Sequence, residues 1–183
     1  KVNRFANYEG AKLYLRTNSQ YVLERTLDRG ESSFMGSDGK VNWDIRHDGP
    51  VRISHDLERF RRGLPGREQD VPFLDLSGLL SSLESGYELE TTSDAADASL
   101  RVLRATKRSR NVNGPREMTF AYRPETGVIV RMHLLGLPRE EGGPRSLELT
   151  LTSESPLPAD FFSHTAHHEA DRQIIDESAS NKP

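Results

Sequence analysis

The chain has 183 residues, of which 34% are hydrophobic and 29% are charged, and its formal net charge is -3. A chain of this length can bury a core without disulfides or metal ions, and its low hydrophobic content predicts strands with one solvent-exposed face. The slightly acidic balance argues against a nucleic-acid partner, because such binding needs a clustered basic surface. The absence of cysteine excludes disulfides, cysteine-ligated zinc and thiol catalysis.

The first third of the chain has the pattern of a meander of short strands. Residues 41–46 alternate between apolar and polar side chains, which places Trp43 on a buried face. The Asp38-Gly39 pair before them is a strong hairpin signal, so we expect this strand to pair antiparallel with the preceding one. The strands predicted here cover residues 12–16, 21–25, 33–35, 41–46 and 51–53.

The middle of the chain has helical features. Residues 55–62 are highly charged and predict a short helix, and residues 63–69 predict a loop because they contain Pro65 and Gly66. A second helix is predicted to begin near Asp75 or Ser77 and to end at Gly86. Its apolar face, at helical spacing, consists of Leu76, Leu79, Leu80 and Leu83.

The second half of the chain returns to strand patterns, followed by a polar tail over residues 176–183. Together the elements predict an α+β fold of about eight or nine strands, mostly joined by hairpins. We expect a strongly curved, partly open antiparallel sheet whose concave face is covered by one or two helices. A single domain is predicted over residues 1–175. The strands of this half cover residues 87–91, 100–105, 118–122, 128–134 and 147–152.

The histidines near the C-terminus are the only pattern that suggests metal chemistry. On a helix, His164 and His168 share a face at a spacing that suits a metal, with His167 beside them. The glutamate that follows the first histidine in zinc-protease helices is missing, so a metal-dependent hydrolase is a minor alternative. The carboxylate pairs lie in loops and no serine has a G-x-S-x-G context, so the sequence predicts no catalytic residue, no metal and no cofactor.

Three segments of the sequence, in this order, carry a resemblance to a known family. The first is the hairpin of residues 36–43 that ends at Trp43, and the second is the helix-then-strand passage of residues 74–89. The third is the last strand followed by Pro156 and the Phe161-Phe162 pair. In this order the segments resemble the LolA/LppX/RseB-like superfamily and, more narrowly, LolA-like ectodomains of planctomycete-type proteins.

The resemblance implies a half-barrel sheet closed by helices over an apolar cavity. Members of the family are extracytoplasmic, periplasmic in location, and bind acyl chains of lipids or lipoproteins without catalysis or a cofactor. We expect the family's N-terminal helix to be absent from these residues and a signal or membrane anchor to precede Lys1. The residues expected to line the cavity are Trp43, Leu76, Leu79, Leu80, Leu83 and Phe120.

Two questions remain open at the level of the sequence. Trp43 is expected either to pack in the core, which is the favoured interpretation, or to line a ligand cavity, where aromatic residues are common. The chain is expected to be either a carrier of acyl chains or a regulatory or sensor ectodomain of an envelope-stress or anti-sigma type protein, which binds another envelope protein. A signal peptide alone upstream of Lys1 would favour the carrier, and a transmembrane helix with a small cytoplasmic domain would favour the sensor.

Overall fold

A computed structural model describes residues 9–16, 20–26, 30–57, 59–60, 83–112, 114–137 and 146–178. The chain divides into two units, of which unit 1 comprises Lys1–Arg62 and Pro156–Pro183 and unit 2 comprises Gly63–Ser155. In order, the described strands are β1 (Lys12–Arg16), β2 (Gln20–Thr26), β3 (Ser32–Ser37), β4 (Asn42–Ile45), β5 (Val51–Ser54), β6 (Tyr87–Ser93), β7 (Arg101–Lys107), β8 (Glu117–Tyr122), β9 (Ile129–Leu135), β10 (Ser146–Thr150) and β11 (Ile174–Asp176).

Unit 1 contains a six-stranded sheet in the order β1-β2-β3-β4-β5-β11. The first five strands form an antiparallel meander, whereas β11 returns from the C-terminal part of the chain and pairs parallel to β5. The core cluster of this unit consists of Val22, Trp43, Ile45, Val51 and Phe162. Phe162 therefore attaches the C-terminal segment to the meander.

Unit 2 contains a five-stranded sheet in the order β10-β9-β8-β7-β6. Every neighbouring pair in it is antiparallel, and consecutive strands are neighbours. This is the arrangement that short hairpin connections produce. Among the described strands of this sheet, β6 and β10 lie at the two edges.

The hairpin turn predicted at Asp38-Gly39 lies where the sequence indicates it, and a second turn precedes β9. Gly39 has a φ of 88°, a left-handed value that glycine adopts without a steric penalty. The carboxylate of Asp38 accepts the backbone N–H groups of Lys40 and Val41, at 2.8 Å each. Gly127, in the turn between β8 and β9, has a φ of 71°. Both glycines are thus required by the turn conformation.

The predicted α+β half-barrel with covering helices is wrong. The strands form two sheets, one in each unit, and the described residues are helical only over residues 83–86 and in the 3₁₀ turn His164–His167. The described part of residues 55–60 forms bends and turns instead of the predicted helix. Alternating side chains identify a strand and its two faces, but they do not specify which distant strands pair. One long meander and two shorter meanders therefore have the same local sequence pattern.

The leucine-faced helix lies largely outside the described residues. Leu76, Leu79 and Leu80 belong to the part of the chain that is not described, while Leu83 is buried in the helical turn that ends at Gly86. The predicted polar tail begins inside β11, and residues 179–183 lie outside the described residues. The single domain expected over residues 1–175 stays a prediction.

Candidate functional site

The residues predicted to line one cavity belong to different units. Trp43 lies in unit 1, where it is fully buried and its indole Nε1 donates a hydrogen bond to the carbonyl oxygen of Phe162 at 3.1 Å. Leu83 and Phe120 lie in unit 2, where both are buried. Trp43 is thus a core residue of unit 1, as the favoured interpretation expected, and the shared cavity stays a prediction.

One face of the unit 2 sheet carries an apolar row that crosses all five strands. Strand pairing aligns one row of side chains across five strands, and these are Leu89, Ala105, Met118, Leu134 and Leu147. A second row runs through Leu103, Phe120, Met132 and Leu149. We call these two rows the apolar face.

The apolar face is buried at its centre and partly exposed at its margins. Met118 and Leu134 have no exposed surface, and Phe120 is 3% exposed. At the β6 margin Leu89 is 40% exposed, and at the β10 margin Leu149 is half-buried. Apolar surface that continues from a buried centre to the solvent is the feature by which an apolar ligand would be recognised.

The opposite face of the same sheet is polar. Glu90 on β6 aligns with Arg104, Thr119 and His133 on the next three strands. Arg104 also forms an ion pair with Glu117, with 3.0 Å between Nη2 and Oε1. The two faces therefore differ sharply in polarity, and only the apolar face suits contact with hydrocarbon.

His167 is packed against aromatic rings in unit 1. Its ring stacks on Trp43 and on Phe34, each at a centroid distance of 5.1 Å, and contacts the edge of Phe161. Its Nε2 lies 2.6 Å from the carbonyl oxygen of Phe161. A carbonyl oxygen only accepts hydrogen bonds, so this nitrogen carries a proton and has no lone pair for a metal.

His164 and His168 form a hydrogen-bonded pair of coplanar rings. The distance from His164 Nδ1 to His168 Nε2 is 3.0 Å. The angle between the two ring planes is 4°, and the ring centroids are 5.3 Å apart. The centroid distance exceeds the N···N distance by about the sum of the two ring radii, so the nitrogens point at each other in line. Two zinc–nitrogen bonds of ~2.0–2.1 Å in that line need about 4 Å, so zinc does not fit between them.

The protons of this pair can be assigned from the neighbouring groups. His168 Nδ1 lies 2.7 Å from the carbonyl oxygen of Glu169 and must donate to it. In the neutral pair His168 Nε2 is therefore the acceptor, and His164 Nδ1 is the donor. Burial, together with the neighbouring His168, lowers the pKa of His164. Among the described residues, no group of three or more His, Asp and Glu side chains can hold a metal ion.

A second polar cluster, absent from the sequence predictions, surrounds the carboxylate of Glu177. Arg52 binds it with two nitrogens, at 2.6 Å and 3.1 Å, and Arg59 Nε binds it at 2.8 Å. The arginines hold the pKa of Glu177 below its usual range. Because Glu177 is far from both arginines in the sequence, no local spacing predicts this cluster.

No protein-family model matches the sequence, and no curated protein matches it. No helix in the described ranges has the length and apolar character needed to cross a membrane. The best-defined candidate binding features of the described residues are the apolar face in unit 2 and the Glu177 cluster in unit 1.

Proposed function

We propose that the chain is a non-catalytic, extracytoplasmic binding module for acyl chains of a lipid or lipoprotein, as the resemblance to the LolA/LppX/RseB-like superfamily implies. The observation that carries the proposal is the apolar face of unit 2, of which one row crosses all five strands from Leu89 to Leu147. The apolar face includes Phe120, one of the residues expected to contact the ligand.

The dimensions of the apolar face suit a long hydrocarbon chain. Five strands at a spacing of ~4.8 Å span about 19 Å, which is the length scale of an extended long-chain acyl group. Each buried methylene contributes about 0.8 kcal/mol. Because Met118 and Leu134 are already fully buried, a chain that lies along this row must displace the groups that cover them. Leu89 is the most exposed apolar side chain of that row, and we propose that the ligand enters at this margin.

The test is a titration of the full chain with a fluorescent fatty acid, using two substitutions on the same edge strand. Leu89→Lys places a charge at the proposed entry and should weaken binding about tenfold or more, which corresponds to ~1.4 kcal/mol. Glu88→Lys places the same charge on the opposite face and should leave the affinity unchanged. Calorimetry of the wild type should show a negative heat-capacity change.

Two results would contradict this proposal. One is the absence of saturable binding by the wild-type chain together with no co-purified lipid in native mass spectrometry. The other is an equal effect of both substitutions, because a nonspecific charge effect does not depend on the face.

A regulatory or sensor ectodomain that binds an envelope polypeptide is the second candidate. The observation that favours it is β6, an edge strand in which every residue after Tyr87 is exposed. An exposed edge strand presents unpaired backbone groups to which an extended peptide can add. Saturable binding of an envelope polypeptide that Thr91→Pro abolishes, without fatty-acid binding, would favour this candidate over the first.

A further inference from the structure

The C-terminal strand β11 is held mainly by its backbone and by its ends. Its isoleucine side chains are largely outside the core, with Ile174 47% exposed and Ile175 39% exposed. The N–H of Val51 donates to the carbonyl oxygen of Gln173 at 2.9 Å, and the N–H of Glu177 donates to that of Ile53 at 2.8 Å. The pairing with β5 therefore depends little on which side chains β11 carries.

The charged end of this segment is held by a specific arrangement of side chains. The Glu177 carboxylate, whose side chain is 13% exposed, contacts both Arg52 and Arg59. The guanidinium groups of these arginines lie over the ring of Phe60, at 5.0 Å and 5.9 Å from its centroid. We call Arg52, Arg59 and Phe60 the carboxylate clamp.

Residues of β4 position the carboxylate clamp independently of β11. The buried amide of Asn42 donates to the carbonyl oxygens of Leu57 and Arg59, the second at 3.0 Å. Asp44, which is also buried, lies 3.5 Å from Nη1 of Arg52. Since none of these contacts involves the C-terminal segment, the clamp is expected to persist when the segment leaves.

We propose that the edge of β5 and the carboxylate clamp form an acceptor site for an extended acidic segment of a partner polypeptide. The site recognises a backbone that runs parallel to β5 and a carboxylate three positions after the first paired residue, as in the chain from Ile174 to Glu177. Strand addition of this kind derives affinity from main-chain hydrogen bonds and specificity from a few side chains. Bidentate binding by arginine selects the carboxylate.

The chain's own residues 173–177 occupy this site and compete with any partner. A tethered segment has an effective concentration in the millimolar range, so a free peptide of equal affinity cannot displace it at micromolar concentrations. Weakening the tethered segment should therefore expose the site. The inference does not depend on acyl-chain binding, because its residues all belong to unit 1.

The test uses the full chain with Glu177→Lys and a fluorescein-labelled peptide of residues 172–178, Arg-Gln-Ile-Ile-Asp-Glu-Ser. Fluorescence anisotropy should show saturable binding to this variant and at least tenfold weaker binding to the wild type. A second peptide with glutamine in place of its glutamate should bind at least tenfold more weakly, because it cannot form the charge-assisted pair. If Glu177→Lys does not fold, Glu177→Gln is the milder replacement.

Matched substitutions in the Glu177→Lys background identify the clamp. Arg59→Gln should reduce peptide affinity at least tenfold, whereas Arg46→Gln should not, because Arg46 pairs with Asp44 and does not contact Glu177. Native fluorescence of Trp43 verifies that unit 1 is folded in each variant. The inference is overturned if a folded Glu177 variant does not bind the peptide, or if Arg59→Gln and Arg46→Gln have the same effect.

Discussion

Replacing Gly36 by alanine should destabilise unit 1. A Cβ at this position would lie 2.7 Å from the carbonyl oxygen of Tyr21 and 2.8 Å from Cε2 of Trp43. Trp43 is fully buried and hydrogen-bonded to Phe162, so its ring cannot shift freely. Overpacking the core costs ~1–3 kcal/mol, and weakening the hydrogen bond of Trp43 costs ~1 kcal/mol. Alanine also restricts the unfolded chain more than glycine does, which offsets ~0.4–1 kcal/mol of this loss. The expected net loss is about 1–3 kcal/mol.

Urea denaturation followed by tryptophan fluorescence measures this loss in unit 1, because Trp43 is the single tryptophan of the chain. With a slope of ~1–3 kcal/mol per molar urea, the midpoint should fall by about 1 M. Gly49→Ala is the matched control, since the nearest atom to its added Cβ is Cβ of Arg46 at 3.9 Å. That control should be neutral or stabilising by up to ~1 kcal/mol. A Gly36→Ala midpoint at or above that of the wild type would refute this account of the packing.

Three further outcomes follow from polar contacts in unit 1. Asn42→Ala should cost ~1–3 kcal/mol in urea denaturation, because it leaves two carbonyl oxygens without their donor. The hydrogen bonds from Arg52 lower the pKa of Glu177. The attachment of β11 should therefore be complete above the ordinary glutamate pKa of ~4.3 and should weaken as the pH falls through the lowered pKa. Hydrogen exchange of the Glu177 amide should show this weakening as a loss of protection. The NMR titration midpoint of His164 should lie below ~6.5. It should rise in His168→Ala, because His168 contributes to the lowered pKa of His164. An unchanged midpoint in this variant would show that His168 does not lower the pKa.

The positions of most strands could be predicted from the sequence because strand signals are local. Alternating side chains between turn residues mark β1 to β10, and all of them overlap the predicted ranges. The turns at Gly39 and Gly127 are encoded by residues that tolerate a left-handed backbone. These features require only neighbouring residues, and for that reason the sequence alone reveals them.

The division into two sheets and the parallel strand could not be predicted, because both depend on distant contacts. Ile174 pairs with Val51, far away in the sequence, and the three residues of β11 are too few for an alternating pattern. The order of the elements suggests one curved sheet, and the resemblance implies a half-barrel. One sheet differs from two only in which strands pair, and local patterns do not encode that pairing.

The burial of β4 on both faces has the same explanation. Alternation predicts that Asn42 and Asp44 face solvent, yet they are 1% and 5% exposed. Their polar groups are satisfied by Arg59 and Arg52, which the fold brings to them. For the candidate site, Phe120 is buried, and the two apolar rows appear only once the strands are paired.

Methyl NMR of the methionines tests the proposed acyl-chain site most directly. The chain has three methionines, of which Met118 and Met132 lie on the apolar face of unit 2, while Met35 lies on β3 of unit 1. Titration of ¹³C-methyl-labelled protein with a long-chain fatty acid should shift the Met118 and Met132 signals saturably and leave Met35 unchanged. Unchanged Met118 and Met132 signals at a saturating fatty-acid concentration would contradict binding at the apolar face.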